Sequence, residues 1–247
     1  MEENKKKMQK SLLKTSILLS MMALVALTAV TVAWFSIADN ARVRTMSLEL
    51  ITGVDLRMDL DPHETIEEYV KTLTFEDISQ RILEEKGFSM EEVSLEPVTT
   101  SDYKRFTYEN GEVVEPASGA YLEFTLHFMG EKDMLVHLTE ENSSADEADG
   151  TAVNSKNPEL PQAMRIAFTA DGKTTVYDPG KNREKKQLLF SLKKEEDKEV
   201  KVHIWLEGTD PACTDALRNA DYEIRLRFDG TDLDGKPFSQ EQTGDED

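Results

Sequence analysis

Four stretches of the chain alternate apolar and polar residues with a period of two. Val54, Leu56, Met58 and Leu60 alternate with Asp55, Arg57 and Asp59, and Leu122, Phe124, Leu126 and Phe128 with Glu123, Thr125 and His127. Val200, Val202, Ile204 and Leu206 alternate with Lys201, His203 and Trp205, and Tyr222, Ile224, Leu226 and Phe228 with Glu223, Arg225 and Arg227. Each stretch predicts a strand with one dry and one wet face, as in antiparallel sheets. Shorter runs predict strands at 44–50, 104–108, 112–114, 134–139, 164–169, 174–177 and 188–192. Turn residues separate them at Asn110-Gly111, Gly130, Asp171-Gly172, Pro179-Gly180 and Asp229-Gly230. Many short strands without βαβ spacing predict an all-β fold, an antiparallel β-sandwich of residues 39–238.

Two segments break the period. Thr74 opens a capping box with Asp77, and Phe75, Ile78 and Ile82 share a face that ends at Gly87, which predicts a helical insertion near 74–86. The other is residues 15–38, a run of 24 residues without a charge. As a helix it would be about 36 Å long, enough for the ~30 Å hydrocarbon core of a bilayer. Lys5, Lys6, Lys7, Lys10 and Lys14 precede it, with only Glu2 and Glu3 against them. That asymmetry predicts a cytoplasmic basic segment at 1–14 and an extracellular chain from Asp39 onward. Two readings of the run compete. Its length fits a retained single-pass transmembrane anchor. Its grammar fits a signal peptide, with Thr31 and Ala33 as small residues at the −3 and −1 positions of a cut before Trp34. Residues 141–161 lack apolar periodicity and read as a mobile loop, and 239–247 as a disordered acidic tail.

The net charge is −20. Without residues 1–33 the chain keeps 24 basic and 47 acidic residues, a charge of −23. Such a polyanion argues against nucleic acid and anionic headgroups as partners. The single cysteine, Cys213, excludes an internal disulfide, and no Cys-His motif accompanies it, so an unreactive thiol is expected. There is no phosphate loop, nucleophile elbow, His-Glu-x-x-His helix or Cys-x-x-Cys pair, which points away from an enzyme and from a cofactor.

Two constellations invite a metal reading. If 120–129 and 134–139 form a hairpin with a loop at 131–133, His127 faces His137, but the spacing supplies no third ligand. His127, His137 and His203 all occupy solvent-facing parities of their strands. Asp229, Asp232, Asp234, Gly235 and Glu241 hint at a calcium loop. Aligned on an EF-hand, however, they leave Gly230 where the first carboxylate is needed, and an Asp/Gly-rich turn is the better reading.

Thr31-Val32-Ala33-Trp34-Phe35-Ser36, directly after the apolar run, resembles the processing region of exported proteins cut by a SipW-type signal peptidase. The best-known members are the TasA/camelysin biofilm-matrix proteins of Gram-positive bacteria. The resemblance is specific over about residues 15–60. Two later segments, 164–169 and 203–213, are similar to ones in uncharacterised exported proteins with the same N-terminus. The resemblance implies a jelly-roll-like sandwich, a signal peptidase as partner, and assembly by strand addition through residues 34–50. The chain departs from TasA in its helical insertion and in the 203–213 segment. Pattern and resemblance together predict an exported, non-enzymatic cell-surface structural protein, a biofilm-matrix or filament component. The alternative is a membrane-tethered extracellular binding module that keeps the helix as its anchor.

Overall fold

In the computed structural model, residues 21, 42–50, 55–140, 150–181, 185–217 and 220–238 are described. Met1–Asp39 and Asn40–Asp247 form separate units. Of the first only Met21 is described, helical and exposed. The apolar run at 15–38, with Thr31, Ala33 and Trp34, otherwise lies outside the described residues, as does the tail at 239–247. No helix among the described residues is long and apolar enough to cross a membrane.

The described residues of the second unit are mostly β, built into two six-stranded, mostly antiparallel sheets, an all-β sandwich. Sheet A runs β10 (Gln187–Leu192), β6 (Met134–Leu138), β12 (Asp221–Thr231), β1 (Arg42–Leu50) and β3 (Thr72–Leu73), with β7 (Ala152–Ser155) also on β12. Sheet B runs β2 (Leu56–Asp59), β5 (Leu122–Gly130), β11 (Lys198–Glu207), β8 (Met164–Ala170) and β9 (Lys173–Tyr177), with β4 (Pro97–Val98) on β11. The apolar parities of both sheets meet in one core. Phe128 of β5 packs on Phe228 of β12 and Phe190 of β10, with ring centroids 5.3 and 5.2 Å apart. Phe168 of β8 meets Phe228 edge-on at 5.9 Å.

The helical insertion forms as its sequence dictates. α1 (Phe75–Lys86) starts at Thr74, whose hydroxyl accepts from the Asp77 amide while the Asp77 carboxylate accepts from the Thr74 amide at 2.7 Å. It ends at Gly87, whose φ of 79° is the left-handed stop that glycine adopts without strain. Ile78 and Ile82 are its buried face.

Three expectations are corrected. β5 and β6 do not form a hairpin: residues 131–133 carry the chain from sheet B to sheet A, so His127 and His137 lie on different sheets. The segment read as a loop at 141–161 contains β7, paired with β12 from Tyr222↔Ser155 to Arg225↔Ala152, and the short helix α2 (Glu159–Ala163); residues 141–149 lie outside the described residues. The runs at 104–108 and 112–114 form isolated bridges, Thr99↔Thr107 and Thr107↔Val113, rather than strands.

β1 has an unusual place. It lies parallel to β12, the last strand, from Arg42↔Asp221 to Leu50↔Phe228, with a bulge between Val43 and Thr45. In sequence Val43 has the parity opposite to Met46, Leu48 and Leu50; the extra residue of the bulge returns it to their face. All four are buried in the core.

Candidate functional site

The outward parity of sheet B is where the chemistry-bearing side chains gather. Its residues are Glu123, Thr125 and His127 on β5, with Tyr121 just before that strand, and Lys201, His203, Trp205 and Glu207 on β11. Alternation alone makes this a wet face. The segment 95–121 folds over part of it instead, and a second apolar cluster forms from Val98, Phe106, Val114, Tyr121, Ala167 and Trp205. Phe106 stacks on Tyr121 at 4.1 Å and meets Trp205 edge-on at 5.5 Å. The covering segment is held by side-chain turns: the Asp102 carboxylate accepts from the Lys104 and Arg105 amides, each at 2.9 Å. Trp205 therefore packs as a second core, and its indole N–H donates to Glu207 at 3.0 Å.

His203 is correspondingly not on a wet face. Its side chain is 2% exposed, and its Nε2 lies 2.9 Å from Glu123 Oε2 on the neighbouring strand. The other Glu123 oxygen accepts from Lys86 Nζ at 2.7 Å, which ties the last turn of α1 to sheet B. The His203 hydrogen bond, against the opposing pull of burial and with help from Lys86, holds the Glu123 pKa down at about 2. His203 Nδ1 is buried and has no hydrogen-bond partner among the described residues.

At the other end of the same face, His127 Nδ1 lies 2.9 Å from Asp197 Oδ2, and the Tyr69 hydroxyl donates to Asp197 Oδ1 at 2.7 Å. Burial first, then the Asp197 carboxylate, pushes the Tyr69 phenol up to about 12. His137 lies on sheet A, where burial lowers its pKa despite Asp229 nearby. No group of three or more His, Cys, Asp or Glu that could hold a metal occurs among the described residues. Asp229 is the buried partner of Lys186, and the Asp232 carboxylate accepts from the Asp234 and Lys236 amides at 2.9 and 2.8 Å, so these two aspartates serve strand and turn. Glu241 lies outside the described residues.

The segments 164–169 and 203–213 prove to be neighbours, β8 and β11, in register from Lys201↔Thr169 to Leu206↔Met164. Arg165 joins them by an ion pair to Asp210, and its guanidinium also donates to the carbonyls of Gln162 and Met164 at 2.6 and 2.7 Å. Asp210 in turn accepts from the Ala212 amide at 2.9 Å. Beyond this turn lies a cavity of about 460 Å³, floored by Leu95, Val98, Leu206 and Leu217 and rimmed by Thr209 and Tyr108. Cys213 lines it, but burial pushes its thiol up to about 11, a poor nucleophile near neutrality.

The sequence reading missed Lys86, Glu123, Tyr69, Asp197 and the Arg165–Asp210 pair. One signal was available: Tyr121 and Trp205, large aromatics on polar parities of two strands, imply a covering layer. Asp197 has no such signal, since it lies in the turn before β11. Comparison of the chain with protein-family models and with curated proteins yields no match.

Proposed function

We propose that this is an exported, non-enzymatic cell-surface structural protein that assembles by strand addition, with a sandwich of the jelly-roll kind. The observation that carries this reading is the slot occupied by β1. The first strand lies parallel on β12, and among the described residues its other edge is paired at Leu48 and Glu49 with β3 and at Leu50 with the Lys71 carbonyl. Its four apolar side chains fill a groove that every copy of the chain possesses. A neighbour's residues 42–50 would satisfy the same backbone groups and the same pockets, so exchange of this strand between copies costs no native contact. The bulk charge of −23 outside residues 1–33 keeps single copies apart near neutrality, so assembly is favoured as carboxylates protonate.

The test is to purify residues 34–247 and follow filament or ladder formation at high concentration, at neutral and acid pH, with and without excess synthetic 40–50 peptide. Filaments that shorten with the peptide support the reading; a protein that stays monomeric throughout sinks it.

The cavity beside Asp210 favours a second reading, a tethered extracellular binding module that keeps residues 15–38 as its anchor. N-terminal sequencing of the mature protein separates the two. A start at Trp34 fits release by a signal peptidase acting at Thr31 and Ala33, and a start at Met1 fits the anchor.

A further inference from the structure

The pairing of β1 with β12 has a mechanical reading. The two strands run parallel through eight registered residue pairs. The chain therefore enters β1 at one end of this ribbon and leaves β12 at the other. Tension between the chain before Arg42 and the chain after Thr231 pulls the two strands along their lengths in opposite senses. Every backbone bond of the interface is then loaded at once, and none can be peeled ahead of the rest. Antiparallel terminal strands would put both attachment points at the same end and let the bonds open one after another.

The surroundings brace the ribbon against this load. β12 is gripped along its opposite edge by β7 at Tyr222–Arg225 and by β6 at Phe228–Thr231. Ion pairs cross the sheared plane near both ends, Arg44–Asp221 at 2.8 Å and Arg227–Glu49 at 3.6 Å. Val43, Met46, Leu48 and Leu50 must leave the core before β1 can slide. After β12, among the described residues, weaker ties lie in the path: the Thr231↔Pro237 bridge, the partial packing of Phe238 and the Lys132 ammonium over its ring. These would yield first and pass the tension to the end of β12.

We propose that the β1–β12 ribbon is a load-bearing clamp, and that the domain holds tension between an attachment on its N-terminal side and one on its C-terminal side. The clamp rests on the structural-protein reading and deepens it. A neighbour's β1 exchanged into the slot would be loaded in the same geometry, so it would serve as the joint between copies as well as within one.

The experiment is single-molecule pulling of the full-length chain in detergent micelles, with Cys213→Ser in the background and handles on introduced cysteines. One variant carries Asn40→Cys and Asp234→Cys and loads the ribbon lengthwise. The other carries Asn40→Cys and Glu223→Cys and peels it from one end. Rupture forces at least about twofold higher lengthwise than in peeling, at the same pulling speed, are expected. Both variants must first match the unsubstituted chain in urea melts; Lys236→Cys and Lys156→Cys are the replacement handle sites if Asp234→Cys or Glu223→Cys does not. Equal forces in the two directions overturn the clamp and leave strand exchange untouched, because filament formation is read separately. Absence of filaments with unequal forces has the converse meaning.

Discussion

The outward faces of the two sheets have the same alternating pattern and opposite fates. On sheet A the polar parity of β12, with Glu223 and Asp221 at its exposed end, forms surface ion pairs such as Arg44–Asp221. On sheet B part of the polar parity of β11 is roofed by residues 95–121, and Trp205 and His203 are buried. Alternation records only which residues face the shared core. It is silent about the layer on the other side. That side is decided by segments with no period of their own, here one whose Val98, Phe106 and Val114 find their apolar partners on the sheet, at Ala167 and Trp205.

The contrast stands or falls on how the two faces respond to truncation. Trp205→Ala should cost about 3–5 kcal/mol in urea melts, as much as the inner-face change Ile204→Ala at about 2–5 kcal/mol. A Trp205→Ala cost below about 1 kcal/mol would return that face to the solvent. His203→Ala comes next, at about 1–3 kcal/mol, because it takes from the half-buried Glu123 carboxylate one of its two charged partners, Lys86 being the other. Glu223→Ala, the exposed counterpart on sheet A, should stay within about 0.5 kcal/mol. Equal values for these two would erase the distinction.

The Glu123 carboxylate separates the two faces further through pH. Its folded pKa of about 2 lies below the ordinary value of 4.5, so its stabilisation is complete above about pH 4.5 and fades as pH falls toward 2. Discounted for its partial solvation, the contribution is about 2 kcal/mol. Melts of wild type and Glu123→Gln should therefore differ near pH 6 and converge near pH 2. A constant gap would mean that the Lys86–Glu123–His203 chain carries no net charge stabilisation. Thr74→Ala, which removes the cap of α1, should cost about 1 kcal/mol, read in the same melts.

Particular elements explain how far local pattern reaches. The cap of α1 and the inner parities of β5, β11 and β12 obey local rules. The strand partners do not. β5 and β6 each point an apolar parity at the same core from opposite sheets, and a three-residue link satisfies both an arch and a hairpin. The expected facing of His127 and His137 therefore failed although both strands were placed correctly. β7 is short, and only Ala152 and Val153 of its four residues are fully buried, too few to register as a period. Of the candidate site, Arg165 and Asp210 lie within segments singled out by resemblance, but their contact required knowing that β8 and β11 are neighbours.

The first strand also imposes an order on folding. Whether the chain leaves a ribosome or a membrane pore, β1 emerges before everything that holds it, and its partner β12 emerges last. Until Asp221–Thr231 appears, Val43, Met46, Leu48 and Leu50 have no groove to enter. Ring closure across nearly the whole domain makes this pairing a late, entropically demanding event. For that interval the strand is an adhesive end on an unfinished molecule, open to the first complementary edge that it meets, whether its own or another chain's.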